Sequence, residues 1–145
     1  MADFAIRPAV AADARALAGC IDAAYAGYAG TIADLPDVSA GLDDDIRDNL
    51  VWIAELDSRI VGGAVLAIAE PVATLANVAV HPDAGGRGLG RALIETAERH
   101  ARHAGCTELR LATHIGMPAN VALYARLGWR ETGRRGNKVL MSKPL

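Results

Sequence analysis

The segment best equipped for chemistry runs from Ala84 to Arg91, where Gly85, Gly86, Gly88 and Gly90 fill four of the six positions from 85 to 90. It follows an apolar run, Thr74 to Val80, and the pair His81-Pro82, and it opens a segment in which Leu89, Leu93, Ala97 and Ala101 fall on one helical face. A strand, glycines and then a helix make a device for binding phosphate. The first helical turn has amides without intrahelical acceptors and carries the positive end of the helix dipole. Glycines let a pyrophosphate approach the backbone with no Cβ in the way. The string is not GxxxxGK[ST], so it is no nucleoside-triphosphate loop. It is no dinucleotide fingerprint either: counting GxGxxG from Gly86 puts the last position on Arg91, and counting from Gly88 puts it on Leu93.

The elements that must position this turn read as follows. Phe4 to Arg7 is a short first strand, and Asp13 is placed to cap a helix carrying Leu17, Ile21, Ala24 and Tyr28. Ala26 to Gly41 contains Gly27, Gly30, Pro36 and Gly41 and reads as a loop or broken helix. Leu42 to Leu50 is a short acidic helix. Val51 to Leu56 and Ile60 to Ala69 are strands joined by a hairpin turn at Asp57-Ser58-Arg59, and Thr74 to Val80 is a third, central strand. The long helix from Leu89 presents Glu95–Arg99 and Glu98–Arg102 as outer-face pairs and ends at Gly105. Glu108 to Thr113 is a strand, Pro118 to Leu127 a helix stopped by Gly128, and Trp129 to Arg134 with Lys138 to Met141 an antiparallel pair. The order βα(α)βββαβαββ predicts an α/β protein, a mixed sheet with helices packed on it.

Composition bounds the rest. The 145 residues suit one domain with one core, and 52% hydrophobic residues suffice to build it. A net charge of −2 with no long basic tract argues against a nucleic-acid partner. Cys20 and Cys106 lack CxxC spacing and a nearby histidine motif, so they read as reduced, buried thiols, not acyl-carrying nucleophiles. Met1 to Val10 has no leader pattern, and apolar stretches such as Ile60 to Ala69 are too short to span a bilayer. The expectation is a cytoplasmic protein without a membrane partner. His100 and His103 stand i, i+3 but have no carboxylate or thiol at ligand spacing, so no metal is expected.

Three segments in order resemble the GNAT superfamily of N-acetyltransferases. Ala79-Val80-His81-Pro82-Asp83-Ala84-Gly85-Gly86-Arg87-Gly88-Leu89-Gly90-Arg91 resembles its acetyl-CoA motif, a strand followed by [Q/R]xxGx[G/A]. Ile6-Arg7-Pro8-Ala9 with Asp13 resembles the family's start, and Leu123-Tyr124-Ala125-Arg126-Leu127-Gly128-Trp129 its later LY(x)xxLG[F/Y/W] segment. Gly85 stands where the family has Gln or Arg, a residue that contributes through its backbone N–H. Met117, Asn120, Leu123 and Tyr124 match the MxxNxxLY arrangement of some members.

The resemblance implies acetyl-CoA as co-substrate. Its pyrophosphate would lie on Gly85, Gly86, Arg87, Gly88, Leu89, Gly90 and Arg91, with the two arginines adding charge. Its pantetheine arm would pair like an added strand with the backbone of Val78, Ala79 and Val80. Asn120 and Tyr124 would contact it from the later helix. A backbone N–H near Val78 would polarise the thioester, and Tyr124 would be the general acid toward the departing thiolate. Glu70, Thr74, His81 and Ala112 occupy places where a base could stand, and none is singled out. The acceptor would be an amine of a small molecule or peptide, met by Tyr25, Tyr28, Asp34, Asp37 and Asp43 to Asp45, whose acidity would suit a cationic amine. A homodimer is compatible with the family. A non-catalytic acyl-CoA sensor of the same fold is the alternative, and a phosphate-binding protein of another fold is disfavoured by the failed motifs.

Overall fold

The computed structural model describes residues 4–28 and 40–145. Seven strands form one sheet: β1 (Ala5–Pro8), β2 (Leu50–Leu56), β3 (Arg59–Ala69), β4 (Val72–Val80), β5 (Glu108–His114), β6 (Arg130–Arg135) and β7 (Lys138–Pro144). The helices are α1 (Ala14–Tyr25), α2 (Leu42–Asp48), α3 (Leu89–His103) and α4 (Pro118–Arg126). This is the element order expected from the sequence, in a mixed sheet. The spatial order is β1-β2-β3-β4-β5-β7-β6, so the last strand slots between β5 and β6. No described helix is long and apolar enough to cross a membrane.

Strands β1 to β4 form an antiparallel meander. The β2–β3 turn is Asp57-Ser58, with φ of 52° and 64°, and Arg59 already belongs to β3. Two successive left-handed residues match the twist of the flanking strands, which is why two residues suffice. The meander is buried on both faces. Leu17 and Ile21 of α1 and Leu42 of α2 pack with Val51, Ile53, Val65 and Ala79 on one side. Leu89, Leu93, Ile94, Ala97 and Ala101 of α3 pack with Trp52, Ala64, Leu66, Ala73 and Leu75 on the other. Each fully buried leucine or isoleucine in these stripes contributes about 1.5–3 kcal/mol of apolar burial.

Several local expectations are corrected. The Asp13 carboxylate does not cap α1; it accepts from the Val10 N–H at 2.8 Å and from the Arg7 guanidinium at 2.8 and 3.0 Å. Arg7 also reaches Glu55 at 2.5 Å, so the first strand and the start of α1 are tied through one guanidinium. Glu98 is buried, not on the outer face of α3. Its carboxylate takes the Lys143 ammonium at 2.8 Å, and that ammonium also donates to the Leu127 carbonyl at 2.7 Å. Glu95 pairs with Arg91 instead of Arg99. Residues 29–39, which include Asp34 and Asp37, lie outside the described residues.

Candidate active site

Strands β4 and β5 are parallel and pair only over Val72–Thr74 and Glu108–Arg110. Beyond that point β4 runs on to Val80, while β5 continues to His114 along β7 on its other edge. A wedge therefore opens along about six residues of β4, roughly 20 Å of strand at about 3.3 Å per residue. A bulge accompanies it: Val65 lies opposite Asn77 and Leu66 opposite Leu75, so Ala76 is an extra residue on β4. Bulges bend a strand and sharpen its twist, which turns the last residues of β4 away from β5.

The main-chain direction of each wedge residue follows from one bond. The His81 N–H donates to the Val61 carbonyl at 2.8 Å. Antiparallel strands alternate, so Ala79 also turns its N–H and C=O toward β3, while Val78 and Val80 turn theirs into the wedge. The expectation for this strand is thereby narrowed. Val78 and Val80 offer their backbone to a ligand, whereas Ala79 offers none and buries its side chain beneath α1.

The turn at the head of the wedge has its own logic. His81 Nδ1 accepts the Asp83 N–H at 3.1 Å, and the Ala84 N–H donates to the His81 carbonyl at 2.9 Å. These bonds wind Pro82–Ala84 into a tight turn whose end, Ala84, is buried. Gly86 and Gly88 then adopt φ of 79°, the left-handed region in which a side chain is disfavoured, and the space around both α-carbons is open. Among the described residues the amides of Gly86, Gly88, Leu89 and Gly90 donate to no backbone carbonyl. The first helical bond of α3 runs from Ala92 to Gly88 at 3.0 Å. Gly85 departs from expectation, because its N–H is directed at the Pro82 carbonyl, 3.4 Å away. Leu89 anchors the turn with its side chain in the core, and Gly90 lies where a Cβ would meet Val80 at 3.8 Å and Leu123 at 4.0 Å. The turn, the strand edge and α4 thus meet at one corner.

Arg87 is exposed on the turn, and exposed Arg91 is held by Glu95 at 2.8 Å. Asn120 is half-buried. It sits in the first turn of α4, with its side-chain amide directed at the sulfur of buried Met117, 3.5 Å away.

Tyr124 is 8% exposed and meets Trp129 edge-on, ring centres 5.6 Å apart. It belongs to the core under α3 and α4, whereas Tyr25 packs against the core under α1. Yet Tyr25 adds to the burial that raises the Tyr124 phenol well above the usual tyrosine range. Burial also raises Tyr25, whose ring centre lies 6.4 Å from that of Tyr28.

Other candidates are placed elsewhere. Gly41, Leu42 and Asp43 lie against Ala11, just before α1, and Ala14, Arg15 and Ala18 in its first half, about 10 Å or more along the helix from Tyr25 at its end. Asp44 is bonded to Arg47 and Asp45 to Asn49. Two of the three carboxylates at the start of α2 are thus held by partners within residues 44–49. Glu70 sits at the opposite end of β4, beside Gly105. The His100 ring packs against Trp52 at a tilt, 4.8 Å between ring centres. Cys20 is buried next to the His81 backbone, and burial raises its thiol, which leaves it protonated. The sequence left two features unmarked. The bulge at Ala76 has no compositional signal, because alanine fits either strand geometry. The Glu98–Lys143 bridge had one: Glu98 falls i+4 from Ile94 on an otherwise apolar face.

Comparison with known proteins agrees with this geometry. The family model of the acetyltransferase (GNAT) family matches residues 15–129. Among solved structures, the PaiA N-acetyltransferase from Thermoplasma acidophilum, determined in complex with coenzyme A, superimposes with a TM-score of 0.89 at 22% identity, over 98% of this chain and 99% of that one. A ribosomal-protein-S18-alanine N-acetyltransferase from Escherichia coli gives 0.77 at 24% identity, over 97% and 93%. A ribosomal-protein-alanine N-acetyltransferase from Brucella melitensis gives 0.75 at 26%, over 97% and 99%. No curated protein matches the chain by sequence. With more than half of its length matched by the family model, and with the wedge and glycine turn in place, the chain belongs to the acetyltransferase (GNAT) family.

Proposed function

We propose that this protein transfers an acetyl group from acetyl-CoA directly to an amine of a peptide or small molecule. The observation that carries the reading is the alignment of two sets of main-chain groups, the amides of Gly86, Gly88, Leu89 and Gly90 and the wedge-facing backbone of Val78 and Val80, along one path. The first set suits a diphosphate, with Arg87 and Arg91 adding positive charge, and the second suits an amide-bearing arm that pairs as a strand. When bound, acetyl-CoA supplies the thioester that the amine attacks.

The chain's own residues do the rest. The Val78 N–H, directed into the wedge, is the donor for a developing oxyanion. Tyr124 stays a neutral phenol at physiological pH because burial disfavours its phenolate. A free thiol has a pKa of about 8.5, so complete proton transfer from so weak an acid is uphill. Tyr124 therefore acts by hydrogen-bonding the departing sulfur, and the proton lost by the attacking amine completes the thiol. Trp129 meets the phenol ring edge-on and holds it in place. Asn120 is a contact for the same arm from α4.

Calorimetry with acetyl-CoA, followed by thiol release against an amine library, tests the reading. Stoichiometric binding with release for some amine is the expected result. Binding without release for any amine would point to a sensor, and no binding would remove acetyl transfer altogether.

A further inference from the structure

We propose that the amine is presented by an acidic peptide laid along the open face of β5, β7 and β6, an inference that rests on the acetyl-transfer reading above. Residues in register across an antiparallel ladder share a face. His114, Lys138 and Arg135 form one row across these strands, Ala112, Leu140 and Gly133 the next, and Arg110, Ser142 and Arg130 a third. Leu109, Leu111, Val139 and Met141 point the other way, into the core with α3 and α4. The three rows therefore lie on the face that α1 and α2 cover only over β2, β3 and β4. Among the described residues no helix covers them, and Arg110, Ala112, Arg130, Arg135 and Lys138 are all exposed.

Among the described residues the face is predominantly cationic. It carries Arg110, Arg130, Arg135 and Lys138, against Glu108, which is bonded to Arg110. The Arg134–Glu131 pair lies on the opposite face, because those residues stand opposite Val139 and Met141. Among the described residues no carboxylate is paired with Arg130, Arg135 or Lys138. A chain of net charge −2 has thus gathered an excess of cations on one bare sheet surface.

Its layout indicates what fits. Lys138 and Ser142 are four residues apart on β7, so the two cationic rows stand about 13 Å apart, with the apolar Ala112–Leu140 strip between them. A shallow concavity of about 360 Å3, lined in part by Arg110, Thr132, Leu140 and Ser142, occupies the same stretch. A free amino acid could reach one row only, whereas an extended peptide of about four residues spans both. The Lys138–Arg135 row lies at the wedge end, since β4 and β5 are parallel and the Ile115 N–H, just past β5, holds the Asn137 carbonyl of the β6–β7 turn at 2.7 Å. A peptide with its amino terminus in the wedge would lay its next residues on that row. The same cations would disfavour the ammonium form of the arriving amine and so supply the neutral nucleophile that attack requires.

The test is calorimetry on the full chain with CoA present, using the peptides Ala-Glu-Glu-Ala-Glu-Ala and Ala-Lys-Lys-Ala-Lys-Ala and free glutamate. The glutamate peptide is expected to bind at least about tenfold more tightly than the lysine peptide, with affinity falling as salt rises. The double variant Arg135→Glu, Lys138→Glu is expected to invert that order while keeping wild-type affinity for acetyl-CoA. Equal or lysine-favoured binding, an unchanged order in the variant, or free glutamate binding as tightly as the peptide would each overturn the proposal. A wild-type protein that ignored acetyl-CoA would defeat the acetyl-transfer reading instead, and the peptide ranking would still be read separately.

Discussion

The two halves of the sheet are built to different rules. From β1 to β4 every strand is paired along most of its length, and helices cover both faces. From β5 to β7 the strands are equally well paired among themselves, but they join β4 through three residues, and among the described residues no helix covers one of their faces. The first half is a scaffold in which backbone groups satisfy one another. At the seam they do not, and main-chain donors and acceptors remain for a ligand. On the proposed reading, function lies where pairing stops, and its chemistry is mostly that of the backbone.

This comparison can be strained from either side. The strongest effect is expected at the strap between the halves. Lys143→Met would leave the buried Glu98 carboxylate without its cation and cost about 3–5 kcal/mol, read as a fall in the unfolding midpoint. Adding Glu98→Met is expected to restore most of that loss, because two apolar groups of similar volume replace the pair. Next comes Tyr124→Phe, on the seam itself. It should lower kcat by about 10²–10³-fold with little change in acetyl-CoA affinity or in melting temperature. A matching loss of stability would make Tyr124 a packing residue instead.

Gly63→Ala probes the scaffold alone. The new Cβ would fall 2.5 Å from a Leu17 methyl and 3.1 Å from the Trp52 carbonyl, so about 1–3 kcal/mol of stability should go, with acetyl-CoA affinity intact below the melting point. Gly88→Ala is the reverse. Its left-handed φ costs about 1–2 kcal/mol in local conformation, and acetyl-CoA affinity should fall further than stability does.

The smallest effects are those of pH. Arg7 holds Asp13 below the usual carboxylate range. The stability this gives is complete above about pH 4, the unfolded value, and drains as pH falls through the lowered native one. Asp13→Asn should remove that acid dependence. At the alkaline end the sign is opposite. Tyr124 and Tyr25 are raised, so the stability they contribute is complete below about pH 10 and is lost as pH rises toward the native values. A phenolate absorbance titration should show two tyrosines ionising late.

The sequence made visible whatever depends on short-range rules. The Asp57-Ser58 hairpin, the apolar stripe of α3 and the glycine turn each have a local cause, and each stands where the residues placed it. What depends on distant partners was not visible. Nothing in Lys138 to Pro144 says that this strand enters between β5 and β6, because an amphipathic strand fits either edge. The parting of β4 from β5 follows from a bulge at an alanine, and the cationic face exists only once three strands are in register. Asp13 misled because a carboxylate before a helix normally caps it, whereas here the turn at Ala11–Asp13 already gives Asp13 helical backbone angles and its carboxylate reaches back to Val10 and Arg7.

Amide hydrogen exchange, followed residue by residue with and without CoA, addresses the central claim most directly. Slowed exchange confined to Gly86, Gly88, Leu89 and Gly90 and to Val78 and Val80, with Ala79 already protected in the free protein, is the expected pattern. Unchanged exchange at those amides under saturating CoA would contradict it.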